Sequence, residues 1–388
     1  MNTDLRMTIL FVTPIIPEYR KWLYVSLSGI PGWSLVALHG GGPKGSYPVD
    51  IGKSESFADV IVKNSYLRIK GIPLCWQHCT FHILKAKPSA VILLDNVKVL
   101  SNWWVWLISR FIGFKLIFFT HGWNRGEYSN QRGMIARGTE ILRRFFLSHS
   151  DAVIAYTAKV GAHLKRDGVV KQDRIFSSSN TLDLEEISKI RDSLMPETLQ
   201  AIRQILAIGD KFTIGFLGRL TPKKNLSMFI DTLVLLAAKY DIAGLIIGEG
   251  PEIKRVREVL VDKGIDYIHV VGEQTGEQLA AYLGLAKIIF LPDHAGLAIG
   301  HSFAFGLPFV TGASSIHGPE IEYLQDGYNG FIVQSPDKYR FAGVIERLIL
   351  DHVLLRTLSQ HADETAKNSC NPVKAVNAFK LAVQRSLA

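Results

Sequence analysis

Short apolar, β-branched runs alternate with helix-length amphipathic segments along this chain, and the alternation runs through it twice. Residues 8–13, 33–38, 90–94, 115–120, 152–156 and 174–177 read as strands in the first half. Residues 212–217, 244–247, 267–271, 288–291, 308–311 and 330–333 do so in the second. Stretches such as 228–240 and 276–285 are long enough for crossover helices. The pattern specifies parallel sheets covered by helices, so the expected class is α/β with two doubly wound, Rossmann-like domains. A length of 388 residues suits two domains. Their expected bounds are 1–185 and 210–370, joined by a polar connection at 186–209 that Pro196 interrupts, with a closing helix at 371–388. Doubly wound domains bind ligands at the carboxyl ends of their strands, and two of them facing each other place the ligand in the cleft.

Charge is unevenly divided. Residues 1–190 hold 24 Lys and Arg against 14 Asp and Glu, a net +10, whereas residues 191–388 hold 20 against 21, a net −1. A basic first half suits nucleic acid, anionic lipid or an anionic substrate. No nucleic-acid-binding motif accompanies it, so nucleic acid is not expected as a partner. Arg125, Arg132, Arg137, Arg143 and Arg144 are interleaved with Ile141, Leu142, Phe145, Phe146 and Leu147. This segment is either a solvated helix face over the core or a contact with anionic headgroups. Trp103, Trp104 and Trp106 suit an interface as well as a core, and the charge asymmetry favours a membrane. No run of 18 apolar residues lacks a charge; the nearest, 103–119, contains Arg110, Gly113 and Lys115, so no spanning helix is expected. Asn2, Asp4 and Arg6 lead straight into a strand-like run, which argues against a signal peptide. The expected location is cytoplasmic, peripheral on the inner face of the cytoplasmic membrane.

The three cysteines, Cys75, Cys79 and Cys370, do not make a disulfide framework. Cys75, His78, Cys79 and His82, read as one helix, would not converge tetrahedrally on a metal, and packing of the two thiols is expected instead. Gly40-Gly41-Gly42-Pro43-Lys44-Gly45-Ser46 lacks the Gly-Lys-Ser/Thr ending of a phosphate loop. The first strand is not followed by Gly-x-Gly-x-x-Gly, which disfavours a dinucleotide dehydrogenase.

The informative motifs fall at strand ends. Gly215-Phe216-Leu217-Gly218-Arg219-Leu220-Thr221-Pro222-Lys223-Lys224-Asn225 ends a strand and starts a helix. Glycine admits a ligand close to the backbone. Arg219 suits a forked contact to a diphosphate and Lys224 a point charge, near a helix amino terminus that attracts anions. A solvated basic turn would look the same. Gly248-Glu249-Gly250-Pro251-Glu252 and Val270-Val271-Gly272 put glycine at two more strand ends. Pro292-Asp293-His294-Ala295-Gly296-Leu297-Ala298-Ile299-Gly300-His301 follows, running on to Gly306-Leu307-Pro308. Gly318-Pro319-Glu320-Ile321 and Asp326-Gly327-Tyr328-Asn329-Gly330-Phe331 complete the series.

This ordered set, over about residues 212–333, resembles the carboxyl-terminal domain of glycosyltransferase family 4. The first half is similar more loosely, through Pro17-Glu18-Tyr19-Arg20, Thr120-His121-Gly122, Ser150-Asp151-Ala152-Val153-Ile154 and Asn180-Thr181-Leu182-Asp183. The resemblance implies a GT-B fold, with a nucleotide-sugar donor domain at the carboxyl end and an acceptor domain at the amino end. It implies a retaining, metal-independent hexosyltransferase of cell-surface polysaccharide or lipopolysaccharide biosynthesis. The donor would be a UDP-sugar or GDP-sugar, the acceptor lipid-linked or polysaccharide, and no cofactor or metal is called for. Arg219 and Lys224 would hold the diphosphate and stabilise it as it leaves. Asp293 and His121 would face the donor sugar. Gly218, Glu249, Val271, Gly272, Gly296, Leu297 and His301 would complete donor binding, and Arg20 and Asn124 would meet the acceptor.

The family usually carries two glutamates eight positions apart where this chain has Asp293 and His301. The first position keeps a carboxylate on a shorter arm; the second becomes an imidazole with its own titration. This places the chain on a divergent branch. Glu320 supplies a further carboxylate. By residue type alone, Arg20 is an acceptor phosphate ligand or half of a surface ion pair, and His121 a site residue or a satisfied strand-end histidine. Two other functional classes stay open: a non-catalytic GT-B subunit that binds a partner or glycan, and a nucleotide-sugar epimerase.

Overall fold

A computed structural model describes residues 6–43, 49–69, 71–122, 134–314 and 316–388. The chain divides into two compact units, Met1–Leu182 with Pro372–Ala388, and Asp183–Asn371. The first unit contains β1 (Met7–Val12), α1 (Lys21–Ser28), β2 (Trp33–His39), β3 (Asp59–Ile61), β4 (Asn64–Ile69), β5 (Ile72–Gln77), α2 (Thr80–Ala86), β6 (Ala90–Leu94), α3 (Leu100–Ile112), β7 (Lys115–Thr120), α4 (Met134–Ser148), β8 (Ala152–Ala155), α5 (Ala158–Arg166) and β9 (Ile175–Ser177). Its parallel sheet has the order β3-β2-β1-β6-β7-β8-β9, and β4 and β5 form a separate antiparallel hairpin. The order reverses between β1 and β6, which sets the ligand crevice of a doubly wound sheet at their carboxyl ends.

The second unit contains α6 (Leu184–Asp192), α7 (Pro196–Ile205), β10 (Phe212–Leu217), α8 (Leu226–Ala237), β11 (Ile242–Ile247), α9 (Ile253–Asp262), β12 (Ile268–Gly272), α10 (Gly276–Leu285), β13 (Ile288–Phe290), α11 (Ala298–Ala304), β14 (Phe309–Gly312), β15 (Gly330–Val333), α12 (Lys338–Leu350) and α13 (His352–Asn368). Its parallel sheet runs β12-β11-β10-β13-β14-β15 and reverses between β10 and β13. All six residues of β11 are buried, as a strand covered on both faces requires. α14 (Pro372–Leu387) then returns to the first unit, where Phe379, Ala382 and Val383 enter the core beside Phe11, Phe119 and Tyr24.

Three local differences from the sequence reading have physical causes. The polar segment 186–209 is not a bare connection. Asp183 caps α6 by accepting from the Glu186 N–H, and α6 and α7 pack on α10 inside the second unit. Cys75 and Cys79 do not share a helix. Cys75 lies in β5 opposite Tyr66, two residues after Pro73, which a helix interior would not tolerate, and Cys79 precedes α2. Burial pushes the Cys79 thiol up to about 12, so it packs as a neutral apolar group. The hairpin itself is silent in the sequence because β4 has no buried face to leave an alternating pattern.

The loop after β2 is fastened by a buried ionic network. The His39 ring donates from Nδ1 to Asp50 (2.9 Å) and from Nε2 to Asp59 (3.0 Å), and Lys53 pairs with Asp59. Burial lowers the His39 pKa, but the two carboxylates outweigh it and raise the value above 6.5. Burial raises the Asp59 pKa, but Lys53, the Ser54 N–H and His39 together bring it below 3.8. The His39 contribution is therefore complete below pH 6.5 and lost as pH rises through the folded value. The Asp59 contribution is lost as pH falls through its lowered value. Stability from this network should peak between the two limits. His39→Gln should cost about 3 kcal/mol near pH 6 and should flatten the fall in Tm as pH rises above 6.5. An unchanged alkaline profile in that variant would remove His39 as its origin.

Candidate functional site

The loops at the carboxyl ends of β10, β11 and β12 lie backbone against backbone. The Gly218 N–H donates to Ile247 O (3.0 Å), the Gly248 N–H to Gly272 O (2.7 Å) and the Leu220 N–H to Glu249 O (2.8 Å). Gly248 and Gly250 have φ of 142° and 155°, and a Cβ there would stand 2.2 Å from Gly218 O and 2.4 Å from Leu220 O. Only glycine fits either place.

Across the switch point, the Lys224 ammonium donates to the His294 carbonyl in the loop after β13 (3.0 Å). Its aliphatic stem lies over Gly218, where an added methyl would meet Nζ at 3.2 Å. Asp293 Oδ1 accepts from the His294 N–H (2.6 Å), and His294 sits at φ 53°. His317 holds the same loop from behind: Nδ1 accepts from the Ala295 N–H (2.9 Å) and Nε2 donates to Gly312 O (2.7 Å). The Gly318 N–H closes on Ala295 O (2.7 Å). The buried Glu320 carboxylate faces Gly318 and Gly296, since added methyls there would lie 2.3 and 3.6 Å from Oε2.

Electrostatics mark Lys224 as the focus of this loop cluster. Burial pulls its pKa down to about 8, while Asp293 and Glu320 pull it back up. Burial, then Lys224 and Lys223, hold the His294 imidazole down at about 4. Burial alone puts His301, in α11, at about 4 as well. His301 is thus a neutral imidazole at neutral pH, able to bond a hydroxyl but not to supply charge. Two cations and two carboxylates on loops flanking a switch point suit a ligand whose diphosphate is neutralised while an attached hydroxylated group meets the carboxylates.

Of the residues expected here, Gly218, Lys224, Asp293 and Gly296 come together. Arg219 follows Gly218 and is half-buried, and Leu297 follows Gly296 into α11. Glu249 and Gly272 are adjacent, a methyl on Gly272 lying 3.3 Å from Glu249 Oε1. The Val271 carbonyl accepts from the Gln274 side chain (2.6 Å). Sequence reasoning misses the parts played by His294 and His317; the positive φ of one and the backbone partners of the other leave no mark in a sequence.

On the first unit, Thr120 Oγ1 donates to the buried Asp95 and accepts from the Gly122 N–H (2.9 Å), fixing the turn that carries His121. The exposed His121 ring meets Tyr156 edge-on, centroids 5.7 Å apart. Arg20 Nη2 donates to the Tyr156 hydroxyl (2.6 Å), and the guanidinium lies 5.0 Å from the Tyr156 ring and 5.5 Å from Phe119. Burial lowers its pKa, but Tyr156, Tyr19 and Tyr24 outweigh burial and hold it above the usual guanidinium value. A cavity of about 10 Å³ touches Arg20, Trp22 and Ser178, whose Nε, Nε1 and Oγ are buried without a protein partner. That volume suits one bridging water. Asn124 lies outside the described residues. Among the described residues, no group of three or more His, Cys, Asp or Glu could hold a metal ion.

Residues 199–368 match the family model described as glycosyl transferases group 1. A GDP-mannose-dependent alpha-(1-6)-phosphatidylinositol monomannoside mannosyltransferase of Mycobacterium tuberculosis is 25% identical over 168 residues, 40% of this chain and 43% of that protein. The capsular polysaccharide biosynthesis glycosyltransferase CapM of Staphylococcus aureus is 23% identical over 56% of this chain and 57% of its own length. The matched region thus spans about half the length of these curated relatives or less. The crystal structure of Anabaena Alr3699/HepE in complex with UDP superposes with a TM-score of 0.72 at 13% identity, covering 96% of this chain and 98% of that one. The fold is of the GT-B class.

Lys224 in the unliganded protein is a half-buried cation, and loss of water around it takes its pKa from 10.5 to about 8. Between those values the unfolded chain binds the proton that the folded chain has lost, so stability rises with pH across this window. Lys224→Met should therefore stabilise the unliganded protein at pH 7, by an amount on the order of 2 kcal/mol. A lower Tm in that variant would mean that the ammonium holds the loops more than burial penalises it.

Proposed function

We propose that this chain, whose residues 199–368 match the glycosyl transferases group 1 model and whose fold is of the GT-B class, is a glycosyltransferase using a nucleoside diphosphate-sugar. The observation that carries the reading is Lys224 reaching across the switch point to the loop of Asp293, with Glu320 beside it, inside the matched region. Lys224 and Arg219 neutralise the diphosphate as it leaves, the work a metal ion does elsewhere, so transfer proceeds without metal or cofactor. Asp293 and Glu320 meet hydroxyls of the donor sugar. His301, neutral and half-buried, bonds a ribose hydroxyl in place of a carboxylate. Backbone about Val271 and Gly272, with Glu249, borders the nucleoside.

The donor is a UDP-sugar or a GDP-sugar: a solved structure of similar fold holds UDP, and curated relatives are named GDP-mannose-dependent. The acceptor is lipid-linked or a polysaccharide, as the names of the mannosyltransferase and capsular relatives suggest. Configuration is retained at the transferred sugar. The first unit, with Arg20 and His121 on its carboxyl face, takes the acceptor. The enzyme works in the cytoplasm, in peripheral contact with an anionic membrane, in cell-surface polysaccharide synthesis. No helix among the described residues is long and apolar enough to cross a membrane.

A thermal-shift panel of UDP, GDP, dTDP and ADP, with and without chelator, tests the donor. One nucleotide should raise Tm whether or not chelator is present, with about 2.7 kcal/mol of stabilisation at a hundredfold excess over Kd. Arg219→Ala and Lys224→Ala should each lower transfer by roughly two to three orders of magnitude with the fold intact. Normal turnover in both variants would refute the assignment. Nucleotide binding without transfer to any acceptor would favour a non-catalytic subunit.

A further inference from the structure

α3 is apolar on both sides: Val105 is buried, and Trp103, Trp106 and Ile108 pack inward on the core. Its buried residues include Ser101, Asn102 and Ser109. Ser101 Oγ accepts from the Gln77 N–H (3.2 Å) and Asn102 Nδ2 donates to Leu94 O (2.8 Å), so the polar side is consumed by the fold. The outward stripe is Leu100, Trp104, Leu107 and Phe111, spaced four, three and four residues apart, with Phe111 82% exposed. A helix that is apolar all round is normally covered on every side, and this one leaves a whole stripe uncovered. The stripe is about 16 Å long at the α-helical rise.

The surroundings continue it. α2 packs on the same core cluster as α3, through Ile83 and Val105, and exposes Phe81 and Leu84. The β4–β5 hairpin, paired to the start of α3 through Cys75 and Val99, exposes Leu67 and Ile69. Among the described residues, 12 of the 27 exposed large apolar side chains fall between Ile61 and Ile112. A patch this dense marks an interaction surface rather than ordinary surface scatter.

Charge identifies the partner. From residue 60 to residue 115 there is one acidic residue, Asp95, and it is buried. Lys63, Arg68, Lys85, Lys87 and Arg110 of the same stretch are exposed. Aliphatic and aromatic groups, with Trp104 and Trp76 among them, ringed by uncompensated cations, match the interface of an anionic bilayer. A protein partner of this apolar character would meet a rim of both signs. The basic helix singled out in the sequence is committed largely to the core: α4 buries Phe146 and Leu147, Trp103 and Trp106 pack on Phe145 and Phe146, and Arg143 is 8% exposed, which leaves Ile141, Leu142 and Arg144 on its open side.

We infer that α3, α2 and the β4–β5 hairpin form one docking face that lies in the headgroup layer of an anionic membrane, with the α3 stripe parallel to its plane. This rests on the membrane part of the function proposed above, and its test needs no sugar transfer, so either can fail alone. The test is co-sedimentation of the full chain with vesicles of phosphatidylcholine, with and without roughly 30% phosphatidylglycerol. The wild type should bind the anionic vesicles at least about tenfold more tightly, less so in high salt. A Phe81→Ser, Leu107→Ser, Phe111→Ser variant should lose about tenfold or more on those vesicles at unchanged Tm, because all three side chains are already exposed. Arg68→Glu with Lys85→Glu and Lys87→Glu should abolish the preference for anionic lipid. Wild-type-like binding by the serine variant would overturn the inference. So would absence of vesicle binding by the wild type, or conversion of an oligomer to a monomer by the serine substitutions without change in vesicle binding, which would assign the face to a second copy of the chain.

Discussion

The second unit is organised by a contact between two backbones. At the ends of β10 and β11 the chain segments approach until a single methyl at Gly248 or Gly250 would overlap a carbonyl oxygen. That approach draws the Arg219 turn and the Glu249 turn into one layer, and it leaves Lys224 with nowhere to go except across to the loop after β13. Everything charged in the site follows from this placement. The ammonium is buried because the loops are close, its pKa falls because it is buried, and Asp293 and Glu320 matter because they are the counter-charges within reach. Packing here comes before electrostatics.

A cation held in that way is a cost to the empty protein. The carbonyl of His294 returns a hydrogen bond but not a full charge, so the unliganded loops carry a deficit that a dianionic ligand would fill. His317 shows how the deficit is kept from relaxing. With both ring nitrogens engaged by backbone groups, it ties the loop after β13 to β14, so Asp293 and His294 cannot drift away from Lys224. The supports of the site are the backbone hydrogen bonds between the loops after β10, β11 and β12, together with the buried His317 ring.

The strands of both sheets were legible where apolar residues run on without a break in period. β10, buried after Phe212, coincides with the run at 212–217, and the edge strand β15, half-buried at Phe331 and Ile332, with the run at 330–333. β4 gave no such signal, because neither face is covered, and β3 is three residues long at the sheet edge. The segment 186–209 looked like a linker because its helices need only a narrow buried stripe against α10. Within the site, glycines and cations at strand ends could be read from order and spacing. The neutral state of His301, the depressed Lys224 and the bracing role of His317 could not, because each depends on groups far apart in sequence. The uncovered stripe of α3 was equally hidden: its composition suits a core helix, and only the fold shows which side is turned outward.

The return of α14 to the first unit has a kinetic meaning. The sheet of that unit is complete by Ser177, yet Phe379, Ala382 and Val383 belong to its core, and these are separated from the sheet by the whole of the second unit. During synthesis the first unit must wait, with Phe11, Tyr24 and Phe119 lacking their last neighbours, until the second has been made. Order of folding is thereby reversed relative to order of translation: the later unit can close its core while the earlier one is still open. Until α14 arrives, Phe11, Tyr24 and Phe119 lack the apolar cover that Phe379, Ala382 and Val383 give them, so the sheet that is made first is the one sealed last.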